Sequence, residues 1–226
     1  FFRSMLSAPF YLIYMIAALF MLLGALYDER KDRSVLFWKA LPVTDLQTVL
    51  AKLVTAAWVA PLVVVACSVV AQIIGLLGIT GLIWVRDLGD AWLIWWHSGL
   101  LLGAFQLLLG YAIQGLWMLP ITGYLLLISV SVPRMALLWA LALPIIPIML
   151  EGALFRTSVV STGIAKHLEP AALPNFLGLD ARITPVPSTV TDQLAVLINP
   201  DLWIGVVIGA AFLYAAAHVR GISNEL

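Results

Sequence analysis

Of 226 residues, 63% are hydrophobic and only 11% charged, and twelve basic side chains balance twelve acidic ones to a net charge of zero. A soluble domain is nearer half apolar and a quarter charged, so a water-soluble fold is excluded, and a neutral chain is not expected to bind nucleic acid. Apolar residues come in continuous runs rather than the alternating ten-residue segments of an outer-membrane barrel. The class is therefore all-α, a polytopic integral membrane protein with one transmembrane domain over residues 1–226, in contact with the lipid bilayer. Cys67 is the only cysteine, so neither an internal disulfide nor a thiolate metal cluster can form.

The chain begins at Phe1 rather than Met, and Arg3 interrupts any signal-peptide pattern, which reads as part of a longer protein. The first apolar span is expected from about Met5 to Leu26, with Pro9 tolerated in its first turns. A dense charge cluster follows, the consecutive Asp28, Glu29, Arg30, Lys31, Asp32 and Arg33. Next come Val35, Leu36, Phe37 and Trp38, a short apolar patch on a brief helix closed by Pro42. Thr44 with Gln47 three residues on matches a capping box that opens the next helix.

The second span, about Thr48 to Ile83, is too long for one perpendicular crossing, and Pro61 is expected to kink it. Gly75, Gly78 and Gly81 loosen its far end. Trp84, Arg86, Asp87 and Asp90 form a polar break, and Trp92, Trp95 and Trp96 beside His97 read as an interfacial aromatic belt. Gly99 to Trp117 crosses, and Pro120 interrupts a further apolar run to Val132. The turn back lies near Pro120 or near Arg134; parity is the same either way. Ala136 to Ala153 crosses again, with Pro144 and Pro147 inside it. The stretch 154–199 turns polar, with short helical pieces at Ile164–Leu168 and Val190–Ile198, and Pro200 to Val219 is the last span. The fragment thus holds about five transmembrane helices.

Lysine and arginine set the orientation. Arg30, Lys31, Arg33, Lys39, Lys52, Arg134 and Arg220 fall on one side, whereas Arg3, Arg86, Arg156, Lys166 and Arg182 fall on the other, three of them spread over a long loop. Basic residues in short loops favour the cytoplasm. Residues 27–47 and the C-terminus are accordingly inside, and the 156–199 loop outside.

Chemistry is sparse. No Walker A motif, His-Glu-x-x-His or Gly-x-Ser-x-Gly occurs, so the chain lacks a nucleotide-binding motif of its own and is not expected to be an enzyme. His97, His167 and His218 are far apart in sequence. Glu151 ends its span and is read as facing the outer interface, paired with Arg156. Gln72, Gln106 and Gln114 are read as interhelical hydrogen-bonding groups. Gly99–Gly103 and Gly205–Gly209 each form a Gly-x-x-x-Gly pair that permits close helix contact.

One stretch carries a resemblance. Leu26 to Lys52, about twenty-five residues, resembles the loop after the second transmembrane helix of ABC-2-type permeases, the membrane subunits of bacterial ABC exporters. There an acidic-basic run, a Ser-x-Leu-Phe-Trp-Lys segment and a Leu-Pro-Val-Ser/Thr-Asp turn recur together. Here Ser34, Leu36, Phe37, Trp38, Lys39, Leu41, Pro42, Val43, Thr44 and Asp45 fill that pattern. The resemblance implies a six-helix subunit with one helix earlier in the chain, in the inner (plasma) membrane, acting as a homodimer with separate ABC ATPase subunits. No cofactor is implied for this chain; ATP and Mg belong to the partner ATPase. It further implies a coupling helix at Ser34–Leu41 whose patch Val35, Leu36, Phe37 and Trp38 fills a groove on the ATPase, with Asp28 to Arg33 at its rim. Short outer helices before the last span would help close the exit, with Leu194, Leu197 and Ile198 as an extracytoplasmic gate facing inward. The rival readings are a proton-coupled secondary transporter, an intramembrane enzyme, and a structural or sensory subunit.

Overall fold

The computed structural model describes residues 2–31, 42–87, 89–169, 171 and 189–222, and among them every regular element is a helix. Five helical stretches are long and apolar enough to cross a membrane: Pro9–Glu29, Asp45–Arg86, Trp92–Trp117, Ala136–Phe155 and Pro200–Ile222. The first belongs to helix α1, Phe2–Lys31.

Helix α2 runs from Asp45 to Arg86, and its 42 residues rise about 63 Å, twice the ~30 Å hydrocarbon core. Its start is fixed as the sequence suggests. Gln47 N–H donates to Thr44 Oγ1 at 3.2 Å and Thr44 N–H to Gln47 Oε1 at 2.9 Å, a complete capping box. Pro61 produces a widened turn rather than a sharp kink. Lacking an N–H, it cannot bond Ala57, and residues Thr55–Val59 form one π-helical turn in which Ala60 N–H reaches back to Thr55 O. The Ala56 carbonyl so released accepts the Tyr14 hydroxyl of α1 at 3.1 Å. Trp58 packs on Gly115, and its Nε1 donates to Ala112 O at 3.2 Å.

Short α3, Trp92–His97, folds back on α2 through Trp95 Nε1–H donating to Thr80 Oγ1 at 2.9 Å. Helices α4, Leu100–Trp117, and α5, Leu119–Ser131, join at a bend. Hydrogen bonds continue across it, from Met118 N–H to Gln114 O and from Thr122 N–H to Met118 O, both 2.9 Å. Pro120 stands near the start of α5, where its missing N–H costs nothing. The chain therefore stays hydrogen-bonded through Pro120 and leaves the helix only at residues 132–135. Val132 is extended, as suits a residue before proline, and Met135 takes a left-handed φ of 56°. Helix α6, Ala136–Phe155, follows on the periphery with Ala140 as its only buried apolar residue. Two short helices, α7 at Val159–Leu168 and α8 at Val190–Ala195, precede α9, Pro200–Ile222.

Helix α5 is the centre of the bundle, packed against α9 on one side and α1 on the other. A helix so placed must be small or apolar all round, and it is: Leu125, Leu126, Ile128 and Val130 are buried beside Gly123 and Ser129. Ser129 Oγ donates to Leu23 O at 2.7 Å and accepts from Leu26 N–H at 3.0 Å and Tyr27 N–H at 3.1 Å. Against α9 the fit is tighter still. A methyl added at Gly209 would lie 2.7 Å from the Leu119 backbone, and one added at Gly123 would lie 2.8 Å from Gly209 O. Gly205 admits His167 instead, so the 205–209 pair serves two different neighbours.

The ends of α1, α5 and α9 and the starts of α2 and α6 gather at one end of the bundle, called here the charged end. The other end exposes Trp84, Trp92, Trp96 and Trp203. Because the α5–α9 contact is backbone against backbone, Gly209→Ala should cost about 2 kcal/mol through overpacking. Reversible SDS unfolding in mixed micelles checks this, with Gly78→Ala, which meets nothing within 4 Å, as the silent control.

Candidate functional site

Four charged side chains from three helices meet at the charged end. Glu29 closes the last turns of α1, Asp45 and Lys52 lie in the first turns of α2, and Arg220 in the last turn of α9. Arg220 Nη1 donates to Asp45 Oδ1 at 2.9 Å and Nη2 to Glu29 Oε2 at 3.3 Å, while Lys52 Nζ stands 2.8 Å from Glu29 Oε1. Two cations and two anions cancel, which is the condition for taking them out of water. The Arg220 side chain is only 6% exposed and that of Glu29 10%.

Each charge also meets a helix terminus. Asp45 at the N-terminus of α2 and Arg220 at the C-terminus of α9 complement the helix dipoles. Glu29 at the C-terminal end of α1 opposes one, and it is the residue that holds two cations.

The cluster gives two of the expected partner-contact residues partners within the chain. Glu29, assigned to the rim of a partner contact, faces inward and is buried; Asp45 turns onto Arg220. Asp28 is exposed, Pro42 is exposed, and Arg30 and Lys31 fall in the last turn of α1. Asp32, Arg33, Ser34, Val35, Leu36, Phe37, Trp38, Lys39 and Leu41 lie outside the described residues. What the structure fixes is therefore both ends of that segment. Arg220 was legible in the sequence only as a basic residue after the last span; nothing in its neighbourhood announced two acidic partners far back in the chain.

At the opposite end, α7 docks on the bundle through hydrogen bonds, a ring stack and one ion pair. Trp117 Nε1–H donates to Lys166 O at 2.8 Å, and its ring stacks on His167 with centroids 5.1 Å apart. The Gln114 amide accepts from Ala171 N–H at 3.0 Å and donates to Glu169 O at 3.4 Å, so it ties down a loop rather than another span. Lys166 pairs with Asp201 at 3.0 Å. Glu151 does not meet Arg156: its carboxylate accepts from the Val159 and Val160 N–H groups at 2.6 and 2.8 Å and from Thr157 Oγ1 at 2.8 Å, capping α7.

The expected gate residues divide. Leu197 packs toward Trp117 and Leu202, but Leu194 is 44% and Ile198 82% exposed, and Gln193 takes the inward place with its Nε2 donating to Gln106 O at 2.9 Å. The reason is local. The α-helix ends at Ala195 and a 3₁₀ turn, Val196–Ile198, follows, so a stripe drawn at 3.6 residues per turn misplaces the last positions.

On α2, two neighbouring polar side chains lack hydrogen-bond partners. Ser68 Oγ and both ends of the Gln72 amide, on the buried face of α2, make no hydrogen bond, although the residues are 1% and 2% exposed. Gln72 thus does not form the interhelical bond its sequence position suggests. A buried amide left unpaired costs about 1–3 kcal/mol or more.

Comparison with protein-family models, with curated proteins and with solved structures finds no match.

Arg220→Met should remove a group shared by both acids and destabilise the fold by about 3 kcal/mol, because Glu29 would keep a buried charge with one partner fewer. Adding Glu29→Gln to Arg220→Met should recover part of that loss in the same unfolding assay, a coupling that two independent sites would not show.

Proposed function

We propose that this chain is the permease subunit of an ATP-driven ABC-2-type exporter, a dimer of permeases served by separate ATPase subunits that carry ATP and Mg. The observation that carries the reading is the Arg220 cluster. It binds the end of α1 and the start of α2 to the end of α9, so both ends of the charged segment 32–41 are anchored to the bundle. A partner that pushed on that segment would load α2 directly. Capped at Thr44 and continuous to Arg86, α2 would carry the load across the bilayer as a tilt. The apolar patch Val35, Leu36, Phe37 and Trp38 suits a groove on such a partner, with Asp28 and the basic residues after it at the rim. By the distribution of Lys and Arg, the charged end faces the cytoplasm of a bacterial cell and the membrane is the inner one. The substrate in this reading is apolar or amphipathic, since Leu, Ile, Val and Trp dominate the spans.

A proton-coupled transporter is the weaker reading. It needs acids or histidines at mid-depth. Among the described residues, every acidic, basic or imidazole side chain of the five long helices lies within about two turns of a helix end.

Two measurements test the proposal. Phe37→Asp or Trp38→Asp should abolish co-purification of an ATPase, by the cost of forcing a charge into an apolar contact, while the permease stays membrane-inserted. An intact complex in both variants would remove the patch from the interface. Separately, in a Cys67→Ser background, a cysteine at Ser188 should react with an impermeant thiol reagent from outside and one at Ser34 should not; the reverse pattern would invert the orientation.

A further inference from the structure

The buried face of α2 is apolar along its length except at one place. Pro61, Val65, Ser68, Gln72 and Leu76 form that stripe, and Val65 packs with Tyr11, Leu107 and Tyr111. Ser68 and Gln72 are four residues apart, hence on one side of the helix one turn from each other. Between them they hold a hydroxyl, an amide N–H₂ and an amide carbonyl, and none of these meets a partner. Other polar side chains on the interior-facing surfaces are matched: Ser129 bonds α1, Gln114 bonds the 169–171 backbone and Tyr14 bonds Ala56 O. His167 Nε2, at the tryptophan end, is also buried without a hydrogen bond, but only Ser68 and Gln72 place such groups one turn apart on one helix face. A bilayer offers no water to relieve that mismatch, so the groups find their partners in another arrangement of the same chain or on a ligand.

The helix is built to reach another arrangement. Below Ser68 lies the π-turn Thr55–Val59, and below that Lys52 is anchored to Glu29. Such turns inside long helices are frequent at functional hinges. A load entering at the lower end of α2 would be taken up partly as bending at residues 55–59, which would open the Ser68–Gln72 face beyond them.

We propose that Ser68 and Gln72 form the polar recognition point of the translocation path, taking a neutral amphiphile that carries an amide or hydroxyl group. This rests on the exporter reading above. Neutrality follows from the pair itself: an anion would leave the Gln72 carbonyl repelled rather than matched. A group that both donates and accepts satisfies the amide at both ends.

The test uses the full chain in lipid nanodiscs and three probes of one chain length: dodecanamide, dodecanoate and dodecane. Dodecanamide should raise the unfolding midpoint by several degrees through selective binding to the folded state, and the other two should not. Gln72→Leu should unfold at the wild-type temperature or above it without probe, because an unpaired amide has gone, and should lose the response to dodecanamide. Ser68→Ala, which removes a single hydroxyl, should weaken that response and guards against a Gln72 variant that does not fold. An equal shift in wild type and Gln72→Leu, no shift in either, equal shifts with all three probes, or a Gln72→Leu protein that is less stable without probe would each overturn the proposal. The two readings fail separately. Selective binding lost in Gln72→Leu without any co-purifying ATPase would sustain the site and sink the exporter, whereas an ATPase complex indifferent to these probes would sink the site alone.

Discussion

The fold turns on one guanidinium. Arg220 closes a last helix whose contact with α5 is apolar surface and small residues, and it reaches two carboxylates that flank the same segment. A lysine could not do this: one ammonium is a point charge, whereas the planar fork addresses two acceptors at fixed separation. Glu29 is the least comfortable member. Placed at the dipole-negative end of α1 and nearly out of water, it is tolerable only because Arg220 and Lys52 flank it on separate oxygens. The three helix ends are thereby set at one height, and α5 fits between two of them with no side chain to spare at Gly123 and Gly209.

The two ends of the bundle are held by different chemistry. At the charged end the ties are ionic and bring together helix termini that are distant in sequence. At the tryptophan end most are single hydrogen bonds to backbone, an indole N–H on a helix carbonyl, a glutamine amide on loop backbone and a carboxylate capping α7, with one half-exposed ion pair, Lys166–Asp201. Ionic ties inside a low-dielectric setting weaken little with salt, and neutral ones depend on geometry alone. A displacement imposed on the charged end would therefore move helices as units, while the other end yields by exchanging single hydrogen bonds.

Much of this was legible in the sequence because it is local. Length and apolarity gave the five long helices, Thr44 and Gln47 gave a cap three residues apart, and the Gly205–Gly209 pair gave a close contact. What escaped was set by partners far along the chain. Arg220 meets Glu29 across 191 positions and Asp45 across 175, and no periodicity carries that information. Pro120 and Pro133 looked equivalent as breakers; the difference is that Pro120 falls at a helix start, where a missing N–H is harmless. After α8, a change from α to 3₁₀ pitch at Val196–Ile198 leaves Ile198 outward, while within the helix Gln193 rather than Leu194 faces in.

The widened turn in α2 has an arithmetic consequence. A π-turn accommodates one residue more than an α-turn does, and one residue in an α-helix occupies about 100° of rotation. The buried positions Val49, Leu53, Ala57, Pro61 and Val65 recur every fourth residue, a spacing that overshoots a full turn of a 3.6-residue screw by about 40° at each step. Left uncorrected, the seam would wind from the bundle interior round to the lipid before it reached Gln72. The additional residue between Lys52 and Pro61 resets the phase once, near the middle. The angular position of everything beyond it, Ser68 and Gln72 included, is thus fixed by a count of residues rather than by their identity.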